Sequence, residues 1–328
     1  MNYQSDEEKS PEVSGKPETE PAAGEPRSVI FAAYAESEEG LRYAYFLAES
    51  IREFAGRFKD APVWVYVPED FDELNADLIK KFSVLGVEIK TSHAPNEALW
   101  FYFAGKVFAA GEAEAAAEGK AAVLVWMDED TIVLQEPKDF MLDKAVSYAY
   151  RPVMHNRSGS LYGEKPNAFW SRIYEKLGID DEALFPMVTP ADRQKIRAYF
   201  NAGLLVVRPE KGILRKWGED FTVLYSDSIL AQMCRDDVTN RIFIHQTALV
   251  GAVLNLIDRS QMVELSEDYN YPIFFHQQWE AEKAFDSIDD IVTLRYDIYF
   301  RNPDPEWSKK LKGPANIVAW LKQRLGKE

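Results

Sequence analysis

The sequence predicts an α/β protein built on a mostly parallel, helix-covered sheet, and three observations carry that prediction. Over the first 130 residues, apolar stretches of strand length alternate with segments whose apolar residues recur at helical spacing, the order of a doubly wound half. The stretch Ala122 to Met127 is apolar without a break, as a strand buried on both faces of a parallel sheet must be. It runs straight into Asp128-Glu129-Asp130, and in open α/β sheets ligands bind beyond the carboxyl ends of the strands.

Residues 1–26 are rich in Glu, Pro and Ser and have almost nothing to bury, so they read as a disordered acidic tail. Ser28 to Ala33 is the first strand. Glu38 to Phe58 follows as a helix, with Leu41, Tyr45, Ala48, Ile51, Ala55 and Phe58 on its sheet-facing side. Pro62 to Val67 closes a β-α-β unit, Phe71 to Phe82 is a short helix and Val87 to Thr91 a third strand. Glu97 to Glu118 is Ala-rich and reads as one long helix weakened by Gly105 and Gly111. Lys106 lies on or beside its apolar face, where it either snorkels to water or points toward the acids or a phosphate.

After the acids the alternation stops. Ile132 to Leu134 and Ala145 to Arg151 read as short strands, Asn167 to Leu177 as a helix, and 178–198 as loop. Tyr199-Phe200-Asn201-Ala202-Gly203 leads into the strand Leu204 to Val207. Helices are expected over Glu210 to Tyr225 and Ile229 to Met233, and from His245-Gln246 through Ile257. Tyr269-Asn270-Tyr271 precedes the strand-like Ile273 to His276. Ile291 to Tyr299 is the last strand candidate and Pro314 to Leu325 a closing helix.

Bulk properties exclude several function classes. A net charge of -16 argues against a nucleic-acid partner and against docking on an anionic membrane. The single cysteine, Cys234, rules out an internal disulfide, and no Cys/His cluster has zinc spacing. No apolar run approaches the ~20 residues that span a bilayer, and the amino terminus lacks a signal-peptide pattern, so a soluble cytoplasmic protein is the expectation. The dinucleotide fingerprint is missing after the first strand, where Tyr34-Ala35-Glu36-Ser37 stands, and there is no phosphate-binding G-x-x-x-x-G-K-S/T loop.

The acids are the main chemical signal. If the extended conformation continues past the strand, Asp128 and Asp130 project to one side and Glu129 to the other. Two hard oxygen donors can hold Mg²⁺ or Mn²⁺ and leave positions open for a diphosphate; the plain alternative is a polar turn after a strand. Asn201 can donate to and accept from a sugar hydroxyl, and Gly203 lets the backbone pass close to a ligand or another strand, although an ordinary strand entry explains both as well.

Taken together, the strand ending in Asp128-x-Asp130, the Phe200-Asn201-Ala202-Gly203-Leu204-Leu205-Val206 stretch, His245-Gln246 and Tyr269-Asn270-Tyr271 resemble, in order and spacing, the glycosyltransferases of the GT-A fold that include glycogenin and bacterial lipopolysaccharide galactosyltransferases. The resemblance covers about Val29 to Tyr299. It implies a Rossmann-like, mostly parallel central sheet with a smaller mixed portion on the acceptor side, within a single domain 27–328. Residues 27–134 would be its nucleotide-binding half, and 135–328 its acceptor-side half with the C-terminal helix. It implies an enzyme of hexosyltransferase type that moves a sugar from a nucleotide-diphosphate sugar to a glycan, lipid or protein acceptor.

The same resemblance assigns roles. Ala32, Ala33 and Tyr34 would hold the base. Asp128 and Asp130 would lie at the donor's diphosphate; Glu129 between them, Lys106 and Arg295 are candidates for the same place on their positions alone, not from the family. Asp128 and Asp130 would bind the bridging Mn²⁺ or Mg²⁺, whose Lewis acidity offsets the charge of the leaving group. Asn201, Ala202 and Gly203 would face the donor sugar, with Asn201 and Gln246 nearest the reaction.

Two positions depart from the family. His245 stands where Asp usually precedes the Gln, and Arg295-Tyr296-Asp297 stands where a His-Tyr pair supplies a third metal ligand. Either Asp297 or His276 replaces that ligand, or the metal is held less tightly, or it is dispensable, with Arg295 itself contacting phosphate. Three other readings compete. One is a GT-A-like protein that binds a nucleotide sugar without turnover. Another is a haloacid-dehalogenase-type phosphatase, whose D-x-D-x-T is missed because Thr131 falls one place short. A nucleotidylyltransferase fits poorly, because Glu36, Glu38 and Glu39 occupy the position of its basic loop.

Overall fold

The computed structural model describes residues 28–71, 76–273, 285–296 and 312–325. Its centre is a seven-stranded sheet. Strands β1 (Val29–Tyr34), β2 (Val63–Pro68), β3 (Val87–Ser92) and β4 (Val123–Met127) form a parallel block in the order β3-β2-β1-β4. Beyond β4, the sequence places two further short strands, β5 (Thr131–Val133) and β6 (Tyr148–Pro152), then the antiparallel pair β7 (Pro186–Val188) and β8 (Lys195–Arg197) inside the segment expected as loop. β9 (Phe200–Val207) runs antiparallel between β4 and β6, and β10 (Met262–Glu264) adds an edge beside β6.

This order has a consequence for the site. The chain leaves β1 toward β2 on one side, while β4 lies on the other, so the loops after β1 and β4 diverge at a switch point. Because β9 is antiparallel, its amino-terminal end lies beside the carboxyl end of β4: Met127 pairs with Leu204, and the Asp128 N–H donates to the Gly203 carbonyl at 2.9 Å. The Asn201 to Gly203 stretch is therefore already strand rather than a turn into one.

Each face of the sheet is covered. Helix α1 (Glu38–Phe54), capped by the Ser37 hydroxyl accepting from the Gly40 N–H at 3.0 Å, shares one core with Val123, Val125 and Met127. It stops four residues short of the expected end, where Gly56 at φ +56° opens a 3-10 turn. A second helix, α2 (Ala76–Val84), buries Phe82 there too. On the opposite face Leu124 and Trp126 pack with α3 (Ala104–Ala117), α4 (Ala168–Leu177), α5 (Ile213–Tyr225), α6 (Ser228–Asp236) and α7 (Val238–Leu256).

The alternation of these faces along β4 is why its run is apolar at every position. A small sheet, β11 (Tyr271–Pro272), β12 (Thr293–Arg295) and β5, is capped by Leu321 and Leu325 of α8 (Ala315–Leu325). No helix among the described residues is long and apolar enough to cross a membrane.

Two helix starts also differ from expectation for identifiable reasons. α3 begins at Ala104, not Glu97, because Phe103 sits at φ +64°, left-handed backbone that a helix cannot pass through. Gly105, read as a weak point, is required: a Cβ there would run into the Tyr34 ring and hydroxyl. α7 begins at Val238, capped by the Asp237 carboxylate accepting from the Thr239 N–H at 2.7 Å, so His245 and Gln246 lie in its second and third turns.

Between α3 and α5 the Glu114 carboxylate is fully buried, accepting from the Arg215 N–H at 2.9 Å and pairing with Arg215 Nε at 3.4 Å. Burial outweighs these contacts and pushes its pKa up to about 7. The folded state then holds a proton that the unfolded chain releases above ~4.5, so stability falls as pH rises through the window from there to about 7. Glu114→Gln is expected to flatten that slope, worth on the order of 1–3 kcal/mol in urea denaturation between pH 5 and 8.

Candidate functional site

The apolar core gives way to polar side chains where the carboxyl end of β4 meets the start of β9. A cavity of about 640 Å³ opens there, lined on one wall by Lys106, Asp128, Gly203 and Arg295 and on the others by Asn201, His245, Gln246 and Asn270. Strand β4 ends at Met127 and the chain turns at once, with the Thr131 N–H donating to the Asp128 carbonyl at 3.1 Å. Asp128 and Asp130 both reach Arg295, although the chain turns between them and only Asp128 lines the cavity.

Their partners are cationic. Lys106, in the first turn of α3, brings Nζ to 2.5 Å from Asp128 Oδ1. Arg295 reaches both acids: Nη2 pairs with Asp128 Oδ2, and Nε donates to Asp130 Oδ1 at 3.1 Å. The register of the small sheet aims that guanidinium, since β12 is antiparallel to β5 with Arg295 opposite Thr131, and the Tyr296 N–H closes on the Asp130 carbonyl at 2.7 Å. Gly203 makes the room. A Cβ there would strike Arg295 Nη1 and come within 2.9 Å of Asp128 Oδ2.

The electrostatics follow from burial. Desolvation pushes the Asp128 carboxyl up, but Arg295 and Lys106 more than offset it and hold it below the usual range. His245 is pushed down to about 3, first by burial and then by the Lys106 charge, so its ring is neutral. Its Nδ1 lies 2.7 Å from the Ile242 carbonyl, which assigns the proton to Nδ1 and leaves Nε2 as the acceptor. The ring packs 4.6 Å from that of Phe103, over whose face Lys106 Nζ lies at 5.1 Å. Gln246 Oε1 accepts from the Ala202 N–H at 3.4 Å, and Asn201 Oδ1 from the Gly203 N–H at 2.8 Å.

Of the residues expected from sequence, Lys106, Asp128, Asn201, Gly203, Gln246 and Arg295 meet at this cavity. Ala202 is packed into the core behind it, and Asp130 holds Arg295 from outside the lining. Ala32 and Ala33 are buried on opposite faces of the sheet, and Tyr34 packs against Gly105, so none of the three lines the cavity. Glu129 is half-buried off the cavity wall. Burial first, then Asp130 and Asp128, raises its pKa well above the usual carboxylate range. His276 and Asp297, the expected substitute metal ligands, lie outside the described residues.

Sequence reasoning missed several lining groups. Asn270 is the clearest: it is 2% exposed at φ +56°, its N–H donates to Thr293 Oγ1 at 2.7 Å, and its side-chain carbonyl has no hydrogen-bond partner among the described residues. An Asn flanked by two tyrosines was the available signal, since Asn tolerates left-handed backbone. The stretch after β6, including His155, Asn156 and Ser158, forms the far wall, with the Ser158 hydroxyl 2.9 Å from that of Tyr199. It carries no spacing pattern that marks it in sequence.

The family described as Rhodobacterales glycosyltransferase domain matches residues 33–255, more than half of the chain. No curated protein matches the sequence. Among solved structures, the bifunctional glycosyltransferase WbbM in its apo form is similar over 84% of this chain and 46% of its own, at 13% identity and a TM-score of 0.50. This chain thus spans under half the length of WbbM. The galactosyltransferase LgtC, in complex with donor and acceptor sugar analogues, is similar over 82% of this chain and 86% of its own, with 14% identity and a TM-score of 0.44. The glycosyltransferase GlyE of Streptococcus pneumoniae is similar over 91% and 61%, with 16% identity and a TM-score of 0.44. At this level of identity the likeness to WbbM is one of fold, the GT-A arrangement of a mostly parallel sheet with an antiparallel strand beside β4.

Proposed function

Because the chain belongs to the Rhodobacterales glycosyltransferase domain family, we propose that it transfers a sugar from a nucleoside-diphosphate donor to an acceptor hydroxyl within the cavity beyond β4 and β9. The observation that carries this reading is the composition of one cavity wall. An ammonium and a guanidinium, Lys106 and Arg295, stand at a sheet switch point beside a glycine that keeps the wall open. Two cations at that place suit the two phosphates of such a donor. Elsewhere the lining mixes apolar side chains with the polar groups Asn201, Gln246, Asn270 and Ser158 and the charged Arg157 and Asp192, a surface that suits a sugar and its acceptor.

In the reaction the bond from the anomeric carbon to the phosphate oxygen breaks and its electron pair leaves with the diphosphate. The acceptor oxygen bonds to the anomeric carbon and loses its proton. Positive charge near the departing oxygens steadies them, and this is the largest contribution a preorganised site makes. Neutral His245 offers an acceptor nitrogen to a hydroxyl without adding repulsion to the two cations. Gln246 lines the cavity beside Asn201 with its Oε1 held by the Ala202 N–H, so its amide is placed to orient the sugar or the acceptor.

A panel of nucleotide sugars, read first by thermal stabilisation and then by slow donor hydrolysis, tests the reading, because a specific ligand raises apparent stability by mass action. One donor that both stabilises and turns over is the expected result. Stabilisation without any hydrolysis or transfer identifies a binding protein on the same fold, and no stabilisation by any donor removes the proposal.

A further inference from the structure

We infer that this site holds the donor's diphosphate with Lys106 and Arg295 in the place a divalent cation would occupy, and that Asp128 and Asp130 are holders of those two side chains rather than metal ligands. The inference rests on the diphosphate reading above and concerns what binds it. As a metal cage the cluster does not fit. A divalent cation needs carboxylate oxygens open toward the ligand. Asp128 Oδ1 faces Lys106 Nζ at 2.5 Å, and its Oδ2 faces Arg295 Nη2. Asp130 does not line the cavity at all, and its Oδ1 accepts from Arg295 Nε at 3.1 Å. Among the described residues no three His, Cys, Asp or Glu side chains converge in a way that could hold a metal.

The charge count explains why the exchange works. Two carboxylates and one divalent ion sum to zero, and so do two carboxylates, one ammonium and one guanidinium. The diphosphate meets the same formal charge in both cases, but here it is carried on the chain and needs no loading. The guanidinium adds geometry, because its planar fork matches a pair of phosphate oxygens as an ammonium does not. Arg295 and Lys106 both line the cavity, each paired with Asp128, so a phosphate that enters meets both cations with their holder in place. The absent side chain at Gly203 is part of the same device, since a Cβ would occupy the position of the guanidinium.

The test is calorimetric titration of the full chain with UDP, GDP, ADP and inorganic pyrophosphate, in EDTA and again in MnCl₂, with Mn²⁺ alone followed by electron paramagnetic resonance. Binding of one diphosphate with affinities in EDTA and MnCl₂ within threefold, and no capture of Mn²⁺ by the protein alone, is the expected result. Arg295→Ala and Lys106→Met should each weaken that binding at least tenfold, while Arg295→Lys, which keeps the charge but loses the fork, should lose less than Arg295→Ala. Circular dichroism on each variant separates lost binding from lost fold, and the EDTA comparison on the unaltered chain needs no variant. Binding that appears only with Mn²⁺ overturns this inference and leaves the glycosyltransferase reading standing. Absence of binding by every probe in both buffers overturns the diphosphate site itself, and the inference with it.

Discussion

Asp128→Ala is expected to destabilise the folded chain by about 3–5 kcal/mol, because it removes one partner from a buried ion-pair cluster and leaves the other side uncompensated. The Lys106 side chain is only 8% exposed and pairs with Asp128. Arg295 keeps Asp130 but loses the Nη2 contact. A cation held in so little water cannot be rehydrated without moving the start of α3. For a chain of 328 residues the loss corresponds to a fall in melting temperature of roughly 4–7 °C. A carboxylate whose only task was to bind a metal would behave oppositely, since its removal relieves repulsion from Asp130 in the metal-free protein. Urea denaturation of Asp128→Ala in EDTA therefore separates the two roles by the sign of the change. Adding Lys106→Met should recover part of the loss, because the pair is then absent rather than broken. Equal or greater stability in the single variant would show that the carboxylate does not hold the cations.

Much of the fold is legible in the sequence, and the legible parts share a cause. β1, β2, β3 and β4 stand out because strands covered on both faces must be apolar throughout, and the helices between them because their apolar residues repeat at the helical period. The misreadings arise where local pattern and tertiary context part. The stretch from Asn96 to Phe103 has helix-like composition, but the left-handed Phe103 carries the chain over the cavity before α3 starts. Such a conformation at an aromatic residue is set by what surrounds it, and sites are where such backbone collects. β7 and β8 are three-residue strands of one hairpin, too short to show an alternation, and β10 is a three-residue strand whose partner β6 lies far back in the chain, so no window of sequence contains its signal.

The site divides in the same way. The D-x-D pair, Asn201, Gly203 and Gln246 are visible as a spaced set in one chain. What that set does depends on Arg295, which is 165 residues from Asp130 and reaches it only through the pairing of β12 with β5. Sequence shows an arginine where a ligand is expected but not that it closes over both acids. Lys106 is the sharper case. Its helical position reads first as a lysine snorkelling to water and only second as one pointing inward, whereas in the fold it lies in the first turn of α3 and pairs with Asp128.

Gly203→Ala should cost both stability and binding through one added methyl group. Gly203 lies in the fully buried β9 beside β4, with ordinary extended backbone, so alanine is not opposed by conformation and would gain slightly in unfolded-state entropy, by ~0.4–1 kcal/mol. Space opposes it. The new Cβ would meet Arg295 Nη1 and Cζ, the latter at 3.0 Å, and Asp128 Oδ2 at 2.9 Å. The strand cannot slide to relieve this, since Leu204 is locked to Met127 and the Gly203 carbonyl to the Asp128 N–H. The guanidinium must therefore leave, which costs about 1–3 kcal/mol of overpacking and lost pairing and removes the fork from the diphosphate. Stability should fall by that amount while affinity for the diphosphate falls ten- to a hundredfold, both read on one preparation by urea denaturation and calorimetry in EDTA. Gly163→Ala, where nothing lies within 4 Å of the added Cβ, is the matched control and should change neither. A Gly203→Ala protein that binds as tightly as the parent would mean that Arg295 has another resting place, and the close fit between this glycine and the two charged side chains would lose its functional meaning.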